Sequence, residues 1–379
     1  MAALVVVLLV FVVGGCSSSS EVLVDQRGEV GPEPSSKTER FAVRIADLDR
    51  PVGVSASAGL KSGGGVVRLS GPDGEELFAA ELDADHGSDA KVLGSIPSGD
   101  LQVTVELEEA VGKWHVTVLH TSEQEALRVT LTAGLLVLLL VAAVVWITRR
   151  RFEERFRWLW IGAALWAVAV LFKVVSSFLA MEPVLEALEG ALPHWLYIAA
   201  GSVFVGLHSA LFEIGLTIVA AYLWKSFWAS KDRAMTIGVG AGAFEAALIG
   251  LSSIGGAVAV MVGVQELIVA VSSQCATTPL AWLVAPVERA LTIPVHVASR
   301  LLVFYGVARG RRLNILLGFV LFMLIDAVAG GAHVAGLVGR VSTWWIEAAI
   351  VPFALLSLYA ILRVTRSWNK TEGPILDDT

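Results

Sequence analysis

The chain has 379 residues, 55% of them hydrophobic and only 17% charged, with a net charge of −7 and a mean hydropathy of +0.71. A soluble domain carries roughly 25% charged residues, so these values exclude an ordinary cytosolic enzyme, a disordered chain and a nucleic-acid-binding surface. Two cysteines, Cys16 and Cys275, exclude a disulfide scaffold and a cysteine zinc finger. What remains is a polytopic membrane protein with a polar region attached.

The apolar run Ala2 to Val13 is too short to cross a bilayer, which takes ~20 residues. It fits the core of a secretory signal over residues 1–15. Val13-Gly14-Gly15-Cys16 looks like a lipobox, which makes Cys16 the candidate lipidation site. The competing reading is an uncleaved signal anchor with an incidental cysteine. Residues 16–39 are polar and contain Gly-Pro-Glu-Pro-Ser-Ser at 31–36, the composition of a linker.

Over 40–122 the pattern changes to short alternating runs. Leu101, Val103, Val105 and Leu107 alternate with polar residues, and Trp114, Val116 and Val118 follow a break at Gly112. Gly71-Pro72-Asp73-Gly74 marks a turn. This is the signature of a small antiparallel β-sandwich with one buried face. It is acidic: residues 21–124 hold 19 Asp/Glu and 9 Lys/Arg.

The region 125–366 reads as a membrane domain of seven helices, near 128–148, 158–180, 195–223, 234–263, 283–308, 313–338 and 344–364, with a tail over 367–379. Arg149, Arg150 and Arg151 follow the first span, Lys225, Lys231 and Arg233 the third, Arg309, Arg311 and Arg312 the fifth, and Arg363 and Arg366 the last. The intervening loops at 181–194 and 264–282 have no Lys or Arg. Basic loops face the cytoplasm. The expectation is therefore a plasma-membrane protein with an extracytoplasmic β-domain and a cytoplasmic C-terminus.

A charge at the bilayer centre costs about 2.5–3.5 kcal/mol on insertion scales. Lys173, His208, Glu213, Glu245, Glu288, His296, Arg300, Asp326 and His333 all fall within spans. Glu245 ends a stretch containing Gly238, Gly240 and Gly242. Such a stretch lets a neighbouring helix or a ligand approach closely, and it also suits a plain packing seam. Glu288 and His296 share a broad helix face, with Arg300 one turn on. Together they suit either a metal ligand with a general base or a network that fixes helix register. His208 lies about 140° from Glu213 and does not share a ligand site with it.

Catalytic zinc takes three protein ligands and leaves one position open. Glu245, His296 and Asp326 can supply one imidazole and two carboxylates from three helices, and Glu213 or Glu288 can act as general base.

Phe212-Glu213, then Gly240 to Glu245, then Glu288-Arg289 with His296, then Asp326 occur in that order. On these landmarks residues 128–365 resemble the YhfC-type branch of the intramembrane metalloproteases, distantly similar to the PrsW and CAAX-prenyl-protease-like groups. Against that family's pattern Ile214 replaces a Glu, Thr217 an Arg, and Ala241 and Phe322 each a His. The resemblance implies a metal-dependent hydrolase of membrane-associated peptide substrates, with an incomplete metal motif. The rival expectation is a non-catalytic receptor, scaffold or transporter that uses its buried charges for assembly or ion binding.

Overall fold

The structure, a computed structural model, describes residues 21–45, 50–83, 87–94, 100–152, 154, 156–338 and 340–370. The leader at 1–15, Cys16 and the tail beyond 370 lie outside the described residues. The chain divides into two compact units, one of residues 1–132 with 253–282, the other of 133–252 with 283–379.

The first unit is built on five antiparallel strands: β1 (Glu21–Arg44), β2 (Val52–Ser70), β3 (Glu76–Leu82), β4 (Ser88–Leu93) and β5 (Asp100–His120). The sheet order is β1-β5-β2-β3, with β4 on the first half of β2. The expected alternation is present. Leu101, Val103 and Val105 are fully buried, and Trp114, Val116 and Val118 resume the buried face after an interruption. That interruption is a line of bulges across all three long strands. Registers shift between Val30 and Lys37 in β1 and between Leu60 and Gly64 in β2. Gly63, Glu109 and Gly112 there have positive φ. The added twist bends the sheet. Val54 and Ala56 from one half then share a single core with Val67 and Leu69 from the other.

Residues 21–39 correct the expected linker, because they form most of β1, paired with β5 from Glu21↔His120 onward. β1 is an edge strand, and an edge tolerates Gly and Pro where a central strand does not. The Gly-Pro-Glu-Pro segment coincides with the register shift between Val30 and Ser35. Polar composition here marks an edge and a bulge rather than a tether.

The first unit also holds α5 (Gln265–Thr277), where a loop was expected. Val269 packs on Ala90 and Leu119, and Gln265 Oε1 accepts a hydrogen bond from Val92 N at 3.1 Å. The fit depends on Gly53: a Cβ there would lie 2.4 Å from Thr121 Cγ2 and 2.9 Å from Val269 Cγ2. Gly53→Val should cost about 1–3 kcal/mol by overpacking and loosen α5 from the sheet. Limited proteolysis of the full chain in detergent should then cut within 253–282, and an unchanged cleavage pattern would refute this docking.

Among the described residues seven helices are long and apolar enough to cross a membrane: α1 (Glu123–Arg151), α2 (Arg157–Ala191), α3 (His194–Leu223), α4 (Lys231–Met261), α6 (Ala281–Ala308), α7 (Arg312–Val334) and α8 (Trp344–Lys370). α2 runs through most of the expected loop at 181–194, because Leu185, Ala187, Leu188 and their glutamates are good helix formers. Pro286 and Pro294 lie inside a continuous α6. Gly330 and Gly331 do not break α7; they lie where a Cβ would strike Val205 and Ser202 of α3.

In the second unit α6 is the central helix. Of its most apolar stretch 78% is buried, against at most 44% in any other span. A helix in that position can carry charges only if its neighbours answer them. It carries Glu288, Arg289, His296 and Arg300.

Candidate metal centre

The site is assembled from α2, α3, α4, α6 and α7, all within the second unit. On α6, Arg289 and His296 are seven residues apart, about 20° around the helix, and Arg300 is one turn further. This stripe faces α3 and α4. On α3, Ser209 and Glu213 are four apart and share a face. On α4, glycines create the space. A Cβ on Gly238 would meet Val297 Cα at 2.8 Å, and one on Gly242 would meet His296 Cβ at 3.0 Å. The absence of side chains on this face lets α6 approach until Glu245 Oε2 is 2.9 Å from His296 Nε2.

The charges at this centre answer one another across helices. Glu245 Oε1 takes Arg289 Nη1 at 2.5 Å, and the other Nη of Arg289 contacts Glu288. Glu213 Oε1 takes Lys173 Nζ from α2 at 2.6 Å, and Glu213 Oε2 faces Arg300 Nη2 at 3.7 Å. Arg300 is fully buried; its Nη1 donates to His296 Nδ1 at 3.1 Å. Ser209 Oγ accepts from Lys173 at 3.1 Å and donates to Asp326 Oδ2.

All five residues singled out from sequence, Glu213, Glu245, Glu288, His296 and Asp326, line one cavity of about 130 Å³, together with Lys173, Arg289 and Phe322. Glu213, Glu245 and His296 each present a donor atom within 4.8 Å of the others and form a group able to hold a metal ion. Asp326 lines the same cavity, tied to Ser209. His208 bonds Ser176 at 3.1 Å, away from this group.

Three participants escaped the sequence reading. Arg289 appears there only as part of a motif, yet it bridges Glu245 and Glu288. Ser209 links Lys173 to Asp326, and its spacing of four from Glu213 was the available signal. Glu347 opens α8, is 4% exposed and interacts electrostatically with Glu288 and Arg289. A lone acid at the head of an apolar run could have marked it.

The donor set suits a divalent cation. Two carboxylates offset its charge, an imidazole suits a transition metal, and Glu213 Oε2 is buried without a hydrogen-bond partner among the described residues. At the two positions where the resemblance implies an imidazole, the side chains present are apolar. Phe322 puts its ring edge-on to His296 at 5.2 Å between centroids, and Ala241 is buried in the α4 seam. What remains is richer in oxygen than a two-histidine zinc site.

No curated protein matches the chain. The family model described as YhfC intramembrane metalloprotease matches residues 136–351, more than half of the sequence, and it includes every residue of the cavity. The chain belongs to the YhfC intramembrane metalloprotease family.

Proposed function

We propose that this protein is an intramembrane metal-dependent hydrolase that cleaves peptide bonds of membrane-associated substrates. The observation that carries the reading is the convergence of Glu213, Glu245 and His296, from three helices, within 4.8 Å on a cavity inside the helical unit. These three would hold the ion, which we take to be zinc. Bound there, a divalent ion supplies Lewis-acid polarisation of a scissile carbonyl and a more acidic water.

The remaining steps belong to the chain. Glu288, on the cavity wall and oriented by Arg289, takes the proton from the attacking water as general base. Arg289 also holds Glu245, so one guanidinium sets the position of a ligand and of the base. Arg300 fixes the His296 ring from behind, as an outer partner does for a metal-binding imidazole. Asp326, held by Ser209, keeps Lys173 and the acids in one network. The enclosing helices limit water, which strengthens each of these interactions.

The loop charges favour a plasma-membrane location with the β-unit outside and the C-terminus inside. In that position the β-unit would recruit substrate or sense an external signal.

The test is metal analysis of the full chain purified in detergent. About one divalent ion per chain is expected, lost in His296→Ala, together with loss of membrane-peptide hydrolysis in Glu288→Gln. A second reading has its own support, since each carboxylate of the group already contacts an organic cation. On that reading the protein is a non-catalytic receptor or scaffold. No bound ion, and unchanged folding in Glu245→Gln and His296→Ala, would establish it over the first.

A further inference from the structure

We infer that Lys173 is a tethered cation that competes with the metal ion for Glu213, so that the site alternates between a lysine-closed and an ion-loaded form. The inference rests on the metal-site reading above and concerns how that site is regulated.

Lys173 reaches from α2 to the acids. Its Nζ lies 2.6 Å from Glu213 Oε1 and 3.1 Å from Ser209 Oγ. Glu213 is the most buried acid of the metal-binding group, its side chain 2% exposed, whereas the Lys173 side chain is 25% exposed. The two ends of this ion pair therefore differ in their freedom. The carboxylate cannot leave, but the lysine has a flexible four-carbon stem on which its head can swing away from the acid.

Arg289 and Arg300 do not have that freedom. The Arg289 side chain is 7% exposed and the Arg300 side chain 0%. Arg289 is also forked between two acids. Around the cavity four acids, Glu213, Glu245, Glu288 and Asp326, face three cations, Lys173, Arg289 and Arg300. A divalent ion bound at Glu213 would stand at contact distance from a like charge unless one cation withdraws. Lys173 is the one able to do so. With the ammonium in place, Glu213 and the Ser209–Asp326 pair stay neutralised and the empty site remains folded. With the ammonium withdrawn, Glu213 is free to bind the ion.

The experiment titrates ZnCl2, and separately MnCl2, into metal-stripped full chain in detergent, comparing wild type with Lys173→Gln, Lys173→Met and Lys173→Arg. Gln keeps a hydrogen-bond donor near Ser209 without the charge, so one neutral variant remains foldable. Removing a unit charge at contact distance should tighten ion binding about tenfold or more in both neutral variants. The arginine variant, which keeps the charge, should show no gain. Thermal unfolding supplies a second readout. Without metal Lys173→Gln should melt below wild type, and saturating zinc should close the gap.

Wild-type binding with equal or weaker binding in Lys173→Gln would overturn the inference, making Lys173 an orienting residue and leaving the metal-site reading intact. No binding to any of the four proteins would overturn both.

Discussion

Arg300→Leu should destabilise the helical unit by about 3–5 kcal/mol, the cost of removing one partner from a buried charge pair. Arg300 is fully buried at the centre of the second unit, where it faces Glu213 at 3.7 Å and bonds His296 at 3.1 Å. Its guanidinium also lies 5.7 Å from the centre of the Phe322 ring. Leucine fills much of the volume but leaves Glu213 Oε2 and His296 Nδ1 unanswered. The double variant Arg300→Leu/Glu213→Leu should recover a large part of the loss, because an apolar pair of similar size is often as stable as the ion pair it replaces. Reversible unfolding in mixed detergent measures both. A loss below about 1 kcal/mol in the single variant would mean that the guanidinium is not what neutralises this centre.

That prediction separates two things about buried charge in this sequence. The existence of a polar centre was legible, because charges are costly in an apolar span and nine of them had to be accounted for. Glu213, Glu245, Glu288, His296 and Asp326 all reach the same cavity, and helical spacing was enough to set His208 apart. The partners were not legible. Lys173–Glu213 spans 40 residues and Arg289–Glu245 spans 44, and periodicity within one helix carries no information about which neighbouring helix faces it. The same gap affects ligand choice. The need for one imidazole and two carboxylates from three helices suggested Asp326 beside Glu245 and His296; the structure groups Glu213 with them and ties Asp326 to Ser209 on the same cavity.

In the β-unit alternation identified the buried face of β5 but not β1. Pro and Gly at 31–34 look like linker until the sheet order makes β1 an edge. α5 escaped for a related reason. It is too short and too polar to read as a span, and its apolar face is answered by strands far away in the sequence, where Val269 packs on Ala90 and Leu119.

Gly240→Val should be among the most damaging single changes outside the charged residues, and it tests whether glycine places Glu245. Gly238 and Gly242 open α4 toward α6, but Gly240, about 200° around the helix from either, faces the other way. A Cβ there would lie 2.1 Å from the backbone oxygen of Leu159 in α2. Gly162 of α2 is the reciprocal position, 2.0 Å from the backbone oxygen of Ile237. α4 is thus held between two helices by glycines on opposite faces. The obstacle at 240 is backbone, so no rotamer change relieves it, and the helices must separate. Overpacking typically costs about 1–3 kcal/mol, and a rigid backbone contact belongs at or above the upper end of that range. Any shift of α4 away from α2 is driven toward α6, where Gly242 already sits 3.0 Å in Cβ distance from His296, so the Glu245–His296 geometry is disturbed as well. The expected result is lower thermal stability together with loss of the bound ion, graded from Gly240→Ala to Gly240→Val. Gly215→Ala is the control. A Cβ there meets nothing within 4 Å, and alanine should be neutral or stabilise α3 by roughly 0.5–1 kcal/mol. Equal tolerance of valine at 240 and alanine at 215 would show that the glycines of α4 are incidental and that something other than close helix approach brings Glu245 to His296.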